Sequence, residues 1–214
     1  MLVINFKSYE QGFKQAETIA KAAAKYNAVV CPPFTLLREL STLATTFSQH
    51  VDPYEYGAHT GSIIPVELAS IGVKGCLINH SERRVSKDHI EKSVTLCKKY
   101  GLTTIVCAKD DKEAAEYAKF GPDYIAVEPP ELIGGNVSVS SARPELISDT
   151  VNAVHDVNGQ IKVLCGAGVK TGEDVRKALE LGACGVLVAS GIVKADNPEE
   201  RIKELSSPIR DRYS

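Results

Sequence analysis

Ile71-Gly72-Val73-Lys74-Gly75-Cys76-Leu77-Ile78 and Leu181-Gly182-Ala183-Cys184-Gly185-Val186-Leu187-Val188 carry the same signal twice. Each begins with an apolar residue and a glycine suited to the left-handed position that ends a helix, and then runs into a short apolar stretch. Tyr100-Gly101 and Phe120-Gly121 repeat that punctuation before two further apolar stretches. Outward from these four marks, β-rich runs alternate with helical patterns along the whole chain. Strands are expected at 2–5, 28–31, 47–49, 75–78, 103–107, 124–127, 162–165 and 185–188. Most are continuously apolar instead of alternating, as parallel strands buried on both faces require.

The segments between them carry helix signals. Phe13, Ala16, Ala20 and Ala23 fall on one face of a first helix, and Ile90, Val94 and Cys97 repeat the spacing in a later one. Thr171 and Asp174 have the spacing of a capping box. Asn197-Pro198-Glu199 is an N-cap followed by proline at the first helical position. Eight βα units in 214 residues average about 27 residues each, enough for a closed (β/α)8 barrel, eight parallel strands with outer helices. Residues 1–214 are read as one such domain.

An open doubly wound sheet is the rival. Its best support is Gly166-Ala167-Gly168-Val169-Lys170-Thr171-Gly172, but that cluster has one residue too many before its last glycine and follows the seventh strand. The next strand ends in Val188-Ala189-Ser190, with no acidic residue for a ribose. The barrel is the better reading.

Composition narrows the function. Twenty-five basic and 27 acidic side chains leave a net charge of -2, so there is no global field for nucleic acid and an anion must be held by local groups. No apolar run approaches the roughly 18 residues of a membrane span. The chain is apolar only over Leu2-Val3-Ile4 before Asn5, so no signal peptide is expected. The six cysteines form no Cys-x-x-Cys pair and no zinc spacing, which points to a reducing, cytoplasmic setting.

In a barrel the chemistry gathers at the carboxyl ends of the strands. There the chain carries Asn5-Phe6-Lys7, Asn79-His80-Ser81-Glu82-Arg83-Arg84, Glu128-Pro129-Pro130, Gly166-Ala167-Gly168 and Ala189-Ser190-Gly191. This set, in this order and over essentially the whole chain, resembles the triosephosphate isomerase family in its compact archaeal form. The resemblance implies interconversion of dihydroxyacetone phosphate and D-glyceraldehyde 3-phosphate through an enediolate, in glycolysis and gluconeogenesis, with no metal or organic cofactor.

By that resemblance Glu128 is the base and His80 the electrophile. Lys7 supplies positive charge, Glu82 is a second carboxylate beside the site, and Asn5 contacts substrate. Ile133 and Gly134, in a lid over 129–136, grip the phosphate together with Gly168, Ala189 and Ser190. Arg83 and Arg84 are read as pairing partners. Cys107, with Asp110 nearby, is read as support for the base. His50, His59, His89 and His155 are read as surface or packing residues, His59 at a subunit contact. The chain departs from the family pattern at Gly134-Gly135-Asn136, at Glu131 where a tryptophan is common, at Cys165-Gly166-Ala167-Gly168 and at Ala189-Ser190.

By the same resemblance, the loop holding Gln49-His50 and Gly57-Ala58-His59-Thr60-Gly61 reaches into a neighbouring subunit, which implies a homodimer at minimum, with a homotetramer as the larger assembly; charge and hydropathy leave neither a nucleic-acid nor a membrane partner expected. Two other functions remain open at this point: another phosphosugar-binding barrel enzyme, epimerase-like, and a catalytically silent phosphate-binding barrel.

Overall fold

The computed structural model describes residues 1–129 and 143–212. Its strands are β1 (Leu2–Asn5), β2 (Val29–Cys31), β3 (Phe47–Ser48), β4 (Gly75–Ile78), β5 (Thr103–Ala108), β6 (Tyr124–Val127), β7 (Lys162–Cys165) and β8 (Gly185–Val188). Its helices are α1 (Glu10–Lys14), α2 (Ala16–Lys25), α3 (Leu37–Leu40), α4 (Pro65–Ser70), α5 (Lys87–Lys99), α6 (Asp111–Ala118), α7 (Pro144–Val157), α8 (Gly172–Glu180), α9 (Ser190–Val193) and α10 (Pro198–Arg212). All eight strands are parallel in the order β2-β1-β8-β7-β6-β5-β4-β3. The two end strands meet at one bridge, Val30 to Thr46, where the Val30 N–H donates to Thr45 O at 3.0 Å. The sheet therefore curls into a barrel, with its lightest seam between β2 and β3.

Strand alternation divides the apolar residues into two cores. Val3, Cys31, Leu77, Ile105, Ala126, Leu164 and Leu187 point inward and fill the barrel. Ile4, Val30, Ile78, Val106, Val127 and Val186 point outward and meet helical residues such as Ile19, Ile90, Val94 and Val175. Both strand faces are dry, which explains the continuous apolar runs in the sequence. Each fully buried aliphatic side chain contributes about 1.5–3 kcal/mol of transfer free energy.

The helix-ending glycines behave as their context predicts, with φ of 88°, 69°, 67° and 99° at Gly72, Gly101, Gly121 and Gly182. The Thr171 hydroxyl and the Asp174 carboxylate cap α8 reciprocally, and Asn197 Oδ1 accepts the Glu200 N–H at 3.2 Å. No helix among the described residues is long and apolar enough to cross a membrane.

Two expectations are corrected. The first helix is broken at Gln15 (φ -108°, ψ 16°), so α1 turns away from α2; Ala16, Ala20 and Ala23 are buried, but Phe13 is 57% exposed. Asp110, read with Cys107 as support for the base, instead caps α6, its Oδ1 accepting the Glu113 N–H at 2.8 Å, whereas Cys107 does lie beside Glu128. An aspartate immediately before a helical pattern is well suited to capping its first turn.

The barrel core and the exposed Phe13 give a direct contrast. Leu164→Ala, inside the barrel, should cost about 3 kcal/mol. Phe13→Ala should change stability by no more than about 0.5 kcal/mol. Urea midpoints of the two variants against the parent protein check both.

Candidate active site

Where β1 ends, the side chain of Asn5 folds back so that Oδ1 accepts the Lys7 N–H at 2.9 Å. Phe6 points outward and is fully buried. Lys7 has φ 49°, a left-handed conformation that costs a non-glycine residue roughly 1 kcal/mol or more. Gln49 stabilises it, its Nε2 donating to both Lys7 O and Cys31 O at 2.9 Å. The ammonium emerges only 14% exposed and sits 2.9 Å from Glu82 Oε1.

β4 ends in a second left-handed residue, Asn79, with φ 64°. Leu77 points inward and Ile78 outward, so simple alternation would send residue 80 out of the barrel. The kink at Asn79 reverses this and brings His80 onto the barrel mouth. Asn79 holds the kink through its side chain, Nδ2 donating to Cys107 O and Oδ1 accepting from Val85 N, both at 3.0 Å. The Glu82 N–H donates to His80 Nδ1 at 3.2 Å. A ring nitrogen that accepts carries no proton, so the imidazole N–H lies on Nε2. That atom is 3.4 Å from Glu128 Oε1. Arg84 fastens the loop to α6 through Glu113 at 2.5 Å. Glu82 thus pairs with Lys7, and Arg84 with a different carboxylate.

Glu128 follows β6 in register with the inward residue Ala126 and is 4% exposed. Its Oε2 is buried without a hydrogen-bond partner among the described residues. Leaving an acceptor unpaired in the interior costs about 1–3 kcal/mol. Room for it comes from Gly166: a Cβ there would stand 2.5 Å from Glu128 Cγ and 3.1 Å from Val127 O. Burial first, and the neighbouring Glu128 charge second, push the Cys107 thiol well above its ordinary value. Cys107 therefore stays protonated, a packing neighbour and not a nucleophile.

These groups line a cavity of about 250 Å³. Asn5, Lys7, His80 and Glu128 form one part of its wall, and the turns at Gly168 and at Ala189-Ser190 another. Gly168 has φ 70°, and Ser190 opens α9. The first N–H groups of a helix have no intrahelical acceptor and are available to an anion. Arg201 braces both turns from behind, donating to Lys170 O and, at 3.4 Å, to Gly191 O.

Of the residues named from the sequence, Asn5, Lys7, His80, Glu128, Gly168, Ala189 and Ser190 meet around this one cavity. Glu82 lines an adjoining cavity of about 370 Å³ that shares Asn5, Lys7 and His80. Ile133 and Gly134, with Glu131, Gly135 and Asn136, lie outside the described residues. Gly166, Gln49 and Arg201 were not anticipated as supports. Gly166 had a signal: counted inward from Leu164, it stands where a side chain would enter the barrel beside Glu128.

The family model described as triosephosphate isomerase matches residues 1–205. The chain is 46% identical over 214 residues to the triosephosphate isomerase of Methanocaldococcus jannaschii, covering 96% of this chain and 98% of that one. It is 43% identical over 216 residues to that of Archaeoglobus fulgidus, covering 96% of each. The solved triosephosphate isomerase of Bartonella henselae shares the fold, with a TM-score of 0.73 at 21% identity over 99% of this chain and 98% of that one. With near-complete coverage and identity at this level, the chain belongs to the triosephosphate isomerase family.

Proposed function

We propose that Glu128 and His80, with Lys7 beside them, carry out the family's reaction in this chain. As a triosephosphate isomerase it is an aldose–ketose isomerase interconverting dihydroxyacetone phosphate and D-glyceraldehyde 3-phosphate. The observation that carries the residue assignment is the meeting of a buried carboxylate and an imidazole N–H, 3.4 Å apart, on the wall of a cavity that also receives a lysine.

Glu128 removes the proton from the carbon beside the carbonyl, and the electron pair moves onto the carbonyl oxygen to form an enediolate. His80 Nε2–H faces the two substrate oxygens and donates where negative charge develops, passing its proton to one oxygen and recovering one from the other. Glu128 then returns its proton to the adjacent carbon. Lys7 opposes the charge of the phosphate and the enediolate. Backbone N–H groups at Gly168, Ala189 and Ser190 bind the phosphate, since small side chains let the main chain approach it. Glu82 holds the Lys7 ammonium and, through its own N–H, fixes the His80 tautomer.

The working protein is a homodimer or larger, in the cytoplasm. Exposed Phe34 and Tyr56, at 67% and 69%, support this, with Phe34 on the rim of the second cavity, where Lys7 and Glu82 also lie. Sedimentation at micromolar concentration should give a dimer or tetramer; a monomer with full activity would overturn the assembly.

A coupled assay on D-glyceraldehyde 3-phosphate tests the chemistry. Glu128→Asp withdraws the carboxylate by about one methylene and should lower kcat about 100-fold or more. His80→Gln should lower it by about 100- to 1,000-fold. Parent-level rates in both variants would remove the assignment. Gly166→Ala, which displaces Glu128 without touching its chemistry, should reduce kcat about 10- to 100-fold with KM little changed. An unaltered kcat would show that the close approach at Gly166 does not matter.

A further inference from the structure

We propose that His50, Asp52 and His89 form a binding site for one divalent transition-metal ion of the zinc class, tying the loop after β3 to α5. One ligand atom from each residue lies within 4.8 Å of the other two. His50 Nε2 and Asp52 Oδ1 are 3.0 Å apart, close to the spacing of about 3.3 Å between two ligands on a tetrahedral ion with bonds of roughly 2.0–2.1 Å. The His50 and His89 rings have centroids 5.5 Å apart and are inclined at 37°, so they do not stack face to face.

Two imidazoles and a carboxylate suit zinc and its neighbours and leave a fourth position for water. The surroundings already orient these groups as an outer shell does. Asp52 Oδ2 accepts the Ile63 N–H at 2.8 Å, which leaves Oδ1 for the ion. His89 Nε2 lies 2.9 Å from Val51 O; donating there fixes the tautomer and puts the lone pair on the other ring nitrogen. His50 also lines the second cavity.

None of the three side chains takes part in the proposed isomerisation, so the ion is a structural tie and not a cofactor. Metal-stripped protein titrated with ZnCl₂ should bind one equivalent per chain and melt at a higher temperature. CoCl₂ should give a visible d–d band. His89→Asn and Asp52→Asn should each weaken binding by about 100-fold or more, above the range expected of outer-shell changes. His89→Asn should keep isomerase activity within about twofold, which shows that it is folded and carries the test if Asp52→Asn does not fold. Three results overturn the proposal: no stoichiometric binding, which leaves a hydrogen-bonded loop anchor only; binding unchanged in His89→Asn, which moves the ion elsewhere, for instance to the adjacent Cys76 and Cys97 thiols; or a cobalt spectrum the variants do not alter.

Discussion

The sheet's hydrogen-bond ladder continues beyond the last residue of β6. Glu128 N–H donates to Ala108 O at 2.8 Å, and Gly166 N–H donates to Val127 O at 3.0 Å. These bonds hold the backbone of Glu128 between its neighbours on both sides, as firmly as a strand interior. Desolvation opposes the placement of a side chain that is nearly buried and has one oxygen without a partner among the described residues. The ladder supplies the constraint, and the missing Cβ of Gly166 supplies the space. The rest of the site is arranged around a carboxylate fixed in this way.

Two left-handed residues complete the arrangement. Lys7 and Asn79 are both non-glycine residues with positive φ at strand ends, and each is held by a carboxamide bonding the main chain. Strain of this kind persists only where the surroundings over-determine it, and it concentrates at functional sites. At Asn79 the consequence is specific, since without the kink the parity of β4 would turn His80 into the layer beneath the helices. Glu82 adds a second function to the same loop: its side chain takes the Lys7 ammonium while its N–H sets the tautomer of His80. One short loop thus holds the Lys7 ammonium and brings the His80 imidazole beside Glu128.

The far wall of the cavity is made differently. It presents main chain and small side chains at Gly168, Ala189 and Ser190, and its shape is set from outside by Arg201 on α10. Binding an anion through peptide N–H groups tolerates changes of side chain, provided the turns keep their course.

Much of this was legible in the residues alone. Apolar runs and helix-ending glycines specify eight βα units because burial and backbone handedness act over a few neighbouring residues, and Thr171 with Asp174, or Asn197 before Pro198, mark helix starts for the same reason. The grouping of Asn5, Lys7, His80 and Glu128 was legible through motifs at strand ends. What the residues did not disclose depends on packing between distant stretches. Phe13 is exposed because the chain bends at Gln15; Gly166 matters because β7 lies beside β6; Gln49 reaches Lys7 only once β1, β2 and β3 share a seam. His89 stands beside His50 and Asp52 because α5 packs over the loop after β3. Local chemistry is written in order along the chain, whereas the pairing of remote groups exists only after the sheet has curled and set its register.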